Sequence, residues 1–400
     1  MYNKTNKRNS RSHGDWKKRR SNNRPNRNRK FSGDKIDVNR FINKAEVKEE
    51  AEIFVPRYKF NDLNIQNILK QSIVKRGFTT PTPIQDLSIP LILEGKDVVG
   101  LANTGTGKTA AFLIPMVNKI LKNPQEKLLI VAPTRELAAQ IQEEFFKFCK
   151  KLKISSIVIV GGANINGQIR QLNSPHNVII GTPGRLKDLI NRKKINLSQF
   201  KNVVLDEADQ MLDMGFINDV KWMLSMMAKD RQTMLFSATF SPQIKKLSNQ
   251  FLNNPKQVSI KSRETSSQVE QDIVRISAQT DKVETLHNLL VQADFEKVLI
   301  FTRTKYGADK LSKKLYQKGL KSEAIHGNKS HNKRQRALKM FKESLVDVLI
   351  ATDVASRGLD IPNVSHVINY DVPATYDDYI HRIGRTGRAD KQGIALTFVG

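Results

Sequence analysis

The sequence has a single cysteine, Cys149, in 400 residues, and it lacks any apolar run approaching 18 residues. One cysteine excludes an internal disulfide framework and is typical of a protein in a reducing compartment. The missing apolar run excludes a membrane-spanning helix. The basic N-terminus also lacks the apolar region of a signal peptide. We therefore expect a cytoplasmic protein with no membrane partner, in which Cys149 packs in a core.

Acidic residues are scarce, because 39 Asp and Glu stand against 67 Lys and Arg and give a formal net charge of +28. The first forty residues contribute +11 of this excess. A chain that is basic throughout predicts a polyanionic partner such as a nucleic acid. The N-terminal residues are too polar to offset the entropy of ordering. We expect residues 1–50 to form a disordered basic arm that binds phosphates, the alternative being a tail that only aids solubility.

Residues 98–112 read VVGLANTGTGKTAAF, an apolar strand, a glycine-containing loop and the start of an apolar helix. This order is typical of a phosphate-binding loop. Gly105 and Gly107 let the backbone turn its N–H groups toward an anion. Lys108 would reach the β- and γ-phosphates, and the Thr109 hydroxyl would hold Mg²⁺. Ala102 departs from the strict pattern, which has glycine at that position.

Continuous apolar runs alternate with helical patterns on both sides of a polar, serine-containing stretch at residues 261–270. Such alternation predicts α/β domains with parallel sheets covered on both faces. Polar residues follow most of the runs, at the strand ends where ligands gather in such sheets. Asp206 and Glu207 directly follow one run, and they are suited to holding Mg²⁺ and to activating a water molecule.

Two further patterns point to the nucleotide. Gln85 follows a rigid loop rich in proline, and its amide could make two hydrogen bonds to one adenine edge while Phe60 stacks on the base. The second half of the chain has no phosphate loop, but it has Arg382, Arg385 and Arg388 at intervals of three. We expect these arginines to reach the nucleotide held by the first half. The alternative is a solvated basic helix.

Over residues 56–400 the sequence resembles the DEAD-box ATP-dependent RNA helicases. The resemblance rests on motifs in the family's order: GFTTPTPIQ, ANTGTGKT, PTRELA, GG, TPGR, DEAD, SAT, the 301–304 segment, ATDVASRGLD and HRIGRTGR. Family members have alanine at the first phosphate-loop position, which accounts for Ala102. The resemblance implies two tandem RecA-like domains at residues 51–262 and 271–400, joined by a linker at 263–270. It also implies that ATP and Mg²⁺ are the cofactors.

The resemblance further implies a role for each matching residue. The residues implied to bind the nucleotide are Phe60, Gln85, Thr104, Gly105, Thr106, Gly107, Lys108, Thr109, Gly358 and Asp360. Those implied to act in catalysis are Lys108, Asp206, Glu207, Arg385 and Arg388, with Mg²⁺ held by Thr109 and Asp206, largely through water. Those implied to couple the domains are Ser237, Thr239, Asp209, His381 and Arg382. Those implied to bind the RNA backbone are Pro133, Thr134, Arg135, Gly161, Gly162, Thr182, Gly184, Arg185, Arg303, Gly327 and Thr352.

We expect RNA-stimulated ATP hydrolysis that drives local, non-processive strand separation of structured RNA and RNA–protein complexes. Ribosomal or RNA-decay complexes are candidate partners, and ribosome assembly, RNA decay and cold adaptation all stay open as the pathway. Three alternatives stay open: an ATP-gated RNA clamp, a DNA translocase, and a chaperone that acts through the basic arm alone. Residues 326–330 (HGNKS) resemble the bacterial RhlE-type branch, although that branch often has glutamine at the position of His331. Because family members usually continue into a further helix, we expect the family's usual end to lie beyond Gly400.

Overall fold

The computed structural model describes residues 37–43, 54–103, 105–260, 269–277, 279–292, 295–356, 364–387 and 393–400. Residues 54–260 form one α/β domain, called domain 1, and the described residues from 269 onward form a second, called domain 2. All described residues belong to a single compact unit. Within these ranges no helix has the length and apolarity needed to cross a bilayer.

Domain 1 contains a seven-stranded sheet in which every pair of neighbours is parallel. Its strand order is β3-β4-β2-β5-β6-β1-β7. The elements are α1 Asn67–Lys75, α2 Pro83–Leu93, β1 Val98–Leu101, α3 Lys108–Lys122, β2 Leu128–Val131, α4 Arg135–Cys149, β3 Ser156–Ile159, α5 Ile165–Leu172, β4 Val178–Gly181, α6 Pro183–Asn191, β5 Asn202–Leu205, α7 Ala208–Asp213, α8 Ile217–Ser225, β6 Gln232–Ser237, α9 Pro242–Phe251 and β7 Lys256–Ser259.

The six-stranded sheet of domain 2 is also parallel throughout, in the order β10-β11-β9-β12-β13-β8. Its elements are β8 Val269–Arg275, α10 Lys282–Leu290, β9 Val298–Phe301, α11 Lys305–Gln317, β10 Ser322–Ile325, α12 His331–Lys342, β11 Val348–Ala351, α13 Asp353–Ser356, β12 His366–Asn369, α14 Tyr376–Ile383 and β13 Gly393–Val399. Short 3-10 helices lie at Val38–Phe41, Phe60–Asp62 and Leu197–Gln199.

Both faces of each sheet are buried, which explains the continuous apolar runs. In β2, Leu128 and Ile130 pack in one core while Leu129 and Val131 pack in the other. Strand β9 divides its side chains between two cores in the same way. Because successive side chains of a strand point to opposite faces, a strand buried on both sides must be apolar throughout.

Two boundaries differ from the expected ones. Strand β8 begins at Val269, inside the expected linker. Residues 37–43, expected within the disordered arm, include a 3-10 helix, and Phe41 is buried against domain 2. The arm was expected from polar composition alone, which could not reveal that one phenylalanine has a distant apolar partner. Residues 1–36 and 44–50 of the expected arm, and residues 51–53 of the expected domain 1, lie outside the described ranges.

Candidate functional site

The loop between β1 and α3 is held in place by the residues around Gln85. Gly107 has a φ of +94°, and a Cβ atom there would lie 2.4 Å from Nε2 of Gln85, so the loop requires glycine at this position. The Gln85 amide accepts a hydrogen bond from the Thr82 N–H at 3.0 Å and donates one to the Gly107 carbonyl at 3.1 Å. The Thr82 hydroxyl donates to the carbonyl of Thr106 at 2.8 Å. The expected adenine-binding residue is therefore linked directly to the phosphate loop.

A cavity of about 310 Å³ opens over this loop. Its lining includes Phe78, Gln85, Gly105, Gly107, Lys108, Thr109, Asp206 and Glu207. Nζ of Lys108 is buried and has no hydrogen-bond partner among the described residues. A buried unpaired ammonium group is costly unless it meets an anion. The cavity thus has the shape and charge for a nucleotide polyphosphate.

The two carboxylates at the end of β5 lie in this cavity in a strained backbone. Glu207 has a φ of +52°, a left-handed conformation that is rare for residues other than glycine and is associated with functional sites. Its N–H donates to the Asp206 carboxylate at 3.0 Å. Oε2 of Glu207 is buried and, in the described part of the chain, has no hydrogen-bond partner. The strain therefore presents a free carboxylate oxygen to the cavity.

The electrostatic surroundings raise the pKa of both carboxyls. Burial raises the pKa of Glu207 to about 7, with Lys108 and Arg385 lowering it and Asp206 raising it further. Burial also raises the pKa of Asp206, against the opposing effects of Lys108 and of the hydrogen bond from Glu207. A carboxyl that titrates near neutral pH is suited to act as a general base.

Asp209 connects the segment that follows β5 to the end of β6 by hydrogen bonds. Its Oδ2 atom accepts the N–H groups of Ala238 at 2.9 Å and Thr239 at 3.0 Å. The Ser237 hydroxyl donates to the carbonyl of Thr239 at 2.7 Å. These residues were expected to couple the domains, and the contacts found here link two loops of domain 1.

Two of the arginines expected to reach the nucleotide differ in their surroundings. Arg382 is buried within domain 2, where it forms an ion pair with Asp353, and its Nη1 donates to Asn369 at 3.1 Å. Arg385 lies close enough to domain 1 to lower the pKa of Glu207. Nδ1 of His381 is buried and has no hydrogen-bond partner in the described ranges. Of these two arginines, only Arg385 lies near enough to Glu207 to affect its pKa, whereas Arg382 is paired inside domain 2.

A second cavity, of about 430 Å³, lies between loops of both domains. Its lining includes Pro133, Thr134, Arg135, Glu136, Gly161, Thr182, Gly184, Arg185, Gly327 and Arg334. A Cβ atom at Gly162, which has a φ of +76°, would lie 2.1 Å from Nη1 of Arg135. The glycine pair at 161–162 therefore leaves room for this guanidinium.

The Thr134 hydroxyl accepts the N–H of Leu137 at 3.2 Å and so caps α4 at the edge of this second cavity. Arg185 donates to the carbonyl of Ala163 at 3.1 Å. Glu136 of domain 1 forms an ion pair at 2.7 Å with Arg334 of α12 in domain 2, and both side chains are buried. This pair fixes the two domains to each other beside the cavity.

Comparisons with known proteins agree with this arrangement. Residues 82–247 match the DEAD/DEAH box helicase family, and residues 281–390 match the helicase conserved C-terminal domain. The ATP-dependent RNA helicase CshA of Limosilactobacillus reuteri is 45% identical over 343 residues, which are 85% of this chain and 69% of that protein. CshA of Bacillus subtilis is 46% identical over 342 residues, with the same two coverages. The chain belongs to the DEAD-box helicase family.

Solved structures of DEAD-box proteins confirm the two tandem RecA-like domains. S. cerevisiae Dbp5 bound to RNA and ADP BeF3 matches with a TM-score of 0.75 at 34% identity, covering 85% of this chain and 89% of that one. Mss116p bound to ssRNA and AMP-PNP matches with a TM-score of 0.78 at 31% identity, covering 88% and 76%. The chain spans between 65% and 73% of the length of its CshA relatives.

Three expectations about this DEAD-box protein need correction. The relatives reported above are CshA proteins, so the RhlE-type branch is not confirmed. Phe60 is 1% exposed and packs edge-on against Phe78 at 6.0 Å, so Phe78 and not Phe60 offers its ring to the nucleotide cavity. Arg382 is committed to Asp353 inside domain 2, so it acts as a structural residue there.

Other expected site residues are either outside the described ranges or away from the cavity between the domains. Thr104, Gly358, Asp360 and Arg388 are outside the described residues. Arg303 is exposed and its N–H donates to Asp371 at 2.8 Å, while Thr352 is buried beside β11, and neither lines the cavity between the domains.

Sequence reasoning also missed residues that contribute to the DEAD-box site. Phe78 lies inside the GFTTPTPIQ motif and was passed over for the more isolated Phe60. Arg334 and Lys342 of α12 face the two cavities from domain 2. Both sit among other basic residues on one helix, so nothing in the sequence distinguishes them from solvated lysines and arginines.

Proposed function

We propose that this protein is an ATP-dependent RNA helicase, in which hydrolysis requires both domains and drives local separation of short RNA duplexes. The observation that carries the proposal is that the cavity over the phosphate loop of domain 1 is also lined by Lys342 of domain 2, with Arg385 of domain 2 near enough to Glu207 of domain 1 to lower its pKa. Neither domain holds both groups. Hydrolysis would therefore depend on domain closure, which assembles the catalytic set.

ATP is the substrate that the first cavity suits. Lys108 would donate to the β- and γ-phosphates, and the N–H groups of the glycine-containing loop would surround them. Phe78 offers an apolar ring at the same cavity, and Gln85 lies next to the phosphate loop. Because Gln85 contacts Gly107, binding of the base would adjust the loop that binds the phosphates.

Thr109 and Asp206 would hold Mg²⁺, largely through water. Both line the cavity, and a hydroxyl with one carboxylate fits a cation that takes its remaining ligands from phosphates and water. When bound, Mg²⁺ neutralises the charge that develops on the phosphate oxygens. The hydrogen bond from the Glu207 N–H fixes the orientation of the Asp206 carboxylate before any ligand binds.

Glu207 would accept the proton of the attacking water. With a pKa near 7, a substantial fraction is ionised at neutral pH, and its unpaired oxygen faces the cavity. Arg385 would stabilise negative charge at the γ-phosphate, as an arginine supplied across a cleft. Both groups act on the same phosphate from opposite domains.

RNA would occupy the second cavity. Its loops offer backbone N–H groups with Arg135 and Arg185, which suits phosphates and 2′-hydroxyls better than base edges. The ion pair between Glu136 and Arg334 requires the two domains to be adjacent, so RNA binding across both domains would favour the state that hydrolyses ATP. The similarity to structures bound to RNA and a nucleotide over 85% of the chain supports this arrangement.

We further propose cytoplasmic action on structured RNA and RNA–protein complexes, including ribosomal or RNA-decay complexes. The net charge of +28 supports binding to RNA without sequence preference. The CshA relatives favour a CshA-like protein over an RhlE-type one.

The test is steady-state ATP hydrolysis with Mg²⁺, measured alone, with single-stranded RNA and with DNA of the same sequence. We expect stimulation by RNA and little by DNA, together with ATP-dependent release of one strand from a short RNA duplex. Equal stimulation by DNA would indicate a translocase on DNA. Stimulation by RNA without strand release would indicate an RNA clamp. Strand release without ATP would indicate a chaperone that acts through the basic arm.

A further inference from the structure

Residues 37–43 precede domain 1 in the sequence but pack on domain 2, and we call them the N-terminal strap. Phe41 is 1% exposed and lies in an apolar cluster with Val269, Tyr379, Ile383 and Ala395. Its ring centre is 4.7 Å from that of Tyr379. Described residues on both sides of domain 1 in the sequence therefore belong to domain 2.

Backbone pairing fixes the strap to the edge of the sheet. The N–H of Asn43 donates to the carbonyl of Gln271 at 3.0 Å, and the N–H of Gln271 donates back at 2.8 Å. Gln271 lies in β8, the outermost strand of the six-stranded sheet. An edge strand has unpaired backbone groups, which an added segment can satisfy. The strap thus has both an apolar anchor and a defined register.

Two further contacts hold α14, one made by β8 and one made by the strap. The Tyr379 hydroxyl donates to the Gln271 side chain at 2.9 Å, so the residue that pairs with the strap also holds this helix. The guanidinium of Arg40 lies 3.7 Å above the ring of Tyr376, within the range of a cation–π interaction. Two tyrosines of α14 therefore have partners in the strap.

Helix α14 is held on two sides, and Arg385 follows it by two residues. On one side Arg382 is fixed by its ion pair with Asp353. On the other side Tyr379 and Ile383, one helical turn apart, pack against Phe41. Loss of Phe41 would leave a cavity under these two side chains and allow the end of the helix to shift.

We propose that Phe41 is a positioning residue for Arg385: the docked strap holds α14 so that Arg385 meets the nucleotide site of domain 1. The inference rests on the proposed function, since it assigns the strap a role in ATP hydrolysis. A small displacement of a catalytic group lowers the reaction rate by a large factor. The packing of the strap under α14 should therefore affect the rate of hydrolysis.

The experiment compares Phe41→Ala, Phe41→Leu and Ile42→Ala in the full chain. Ile42 is the matched control, because it is the next residue and is 47% exposed. For Phe41→Ala we expect kcat of RNA-stimulated hydrolysis to fall about tenfold, or about 1.4 kcal/mol of activation free energy. Phe41→Leu keeps most of the packing and should lose only about twofold. Ile42→Ala should match the unaltered protein.

Two further readouts separate positioning from a general loss of structure. The affinity of a fluorescent ATP analogue should be unchanged in Phe41→Ala, because the phosphate loop belongs to domain 1. Hydrogen exchange should rise along β8, where the Gln271 N–H loses its partner in the strap. Raised exchange with an unchanged kcat would overturn the inference, and so would a Phe41→Ala protein in which β8 stays protected.

Each remaining outcome also supports or overturns the inference. If Phe41→Ala does not fold, Phe41→Leu takes its place, and a kcat equal to that of Ile42→Ala overturns the inference. Absence of RNA stimulation in the unaltered protein would contradict the proposed function and the inference together. RNA stimulation that is insensitive to Phe41 would contradict the inference alone.

Discussion

Each of the two domains has its own parallel sheet with polar loops at the strand ends, but the domains differ in whether their buried charged groups are paired. Domain 1 holds Asp206 and Glu207 in a cavity where burial raises the pKa of both. Domain 2 pairs its buried Arg382 with Asp353 inside the same domain. Domain 1 keeps Oε2 of Glu207 and Nζ of Lys108 without a hydrogen-bond partner in the described residues, while domain 2 uses an ion pair to hold a helix. We therefore expect domain 1 to supply the chemistry and domain 2 to supply one arginine.

The largest expected loss of activity comes from Arg385→Lys, which tests whether domain 2 supplies an arginine to the site. Lysine keeps the charge but loses the planar guanidinium, which is suited to bidentate contact with phosphate. Because an arginine supplied across a cleft contributes roughly 10³–10⁵-fold, we expect kcat to fall by about 10³-fold or more. Single-turnover ATP hydrolysis with saturating RNA measures the loss. An unchanged melting temperature is the control, and a nearly normal kcat would mean that domain 2 does not complete the site.

The corresponding change in domain 1 is Glu207→Gln. Removing a general base costs about 10²–10⁴-fold in kcat. The variant should still bind ATP and RNA, because the amide is nearly the same size and does not touch the phosphate loop. Glu143→Gln, at the rim of the same cavity, serves as the matched control. Rapid turnover by Glu207→Gln would show that another group activates the water.

Arg382→Ala should reveal the structural role of the second arginine. Removing Arg382 takes the guanidinium from Asp353 and from the Asn369 side-chain oxygen, at a cost of about 1–3 kcal/mol. We expect this loss in the free energy of unfolding, measured with urea, and a smaller additional loss when Asp353 is also changed to alanine. A fully stable Arg382→Ala would contradict the structural role of this arginine.

Loss of the ion pair between the domains should have a moderate effect on the RNA dependence of ATPase activity. Arg334→Gln removes the contact with Glu136 while both domains keep their own cores. We expect the RNA concentration for half-maximal ATPase activity to rise about tenfold, since about 1.4 kcal/mol is lost from the closed state. Glu136→Gln should give a similar change, and the double variant should be no worse than either. Additive effects would mean that the two residues act separately.

The smallest expected change is that of kcat/KM with pH. Below pH 7 the raised pKa leaves Glu207 mostly protonated and unable to accept a proton, so kcat/KM should fall as pH decreases. Between pH 8 and pH 7 the expected loss is about twofold, and it approaches tenfold per unit below that. The free energy of unfolding changes with pH in the opposite direction. Because the raised pKa lets folded Glu207 bind its proton more tightly than the unfolded chain does, the protein loses stability as pH rises from 4.5 toward 7. The residual activity of Glu207→Gln should lack this pH dependence.

The sequence predicted the interior of both sheets but not the edge strands β7 and β8. Strands such as β2 and β5 are buried on both faces and appear as apolar runs. Strands β7 and β8 lie at sheet edges with exposed side chains, so their sequences, KQVS and VEQDIVR, contain no such run. The positions of the phosphate loop and of Asp206 and Glu207 were predictable because they directly follow apolar runs.

Side-chain direction was the part that the sequence could not supply. Arg382 and Arg385 look alike at intervals of three, but Arg382 is paired with Asp353 inside domain 2, while Arg385 lies near enough to Glu207 to lower its pKa. Phe60 was expected to stack on the base, and it is buried beside Phe78. Phe41 finds its partners more than two hundred residues away, and no local pattern reveals such a contact.

The most direct test of the account is the distance between the two domains under each combination of ligands. Cysteines introduced at the exposed Lys229 of domain 1 and Gln317 of domain 2 can carry a pair of fluorophores. Cys149 should not react, because burial raises its pKa to about 12. The account predicts high energy transfer with ATP and RNA together and lower transfer with either ligand alone. Equally high transfer without RNA would contradict it, since the catalytic set would then be complete with ATP alone.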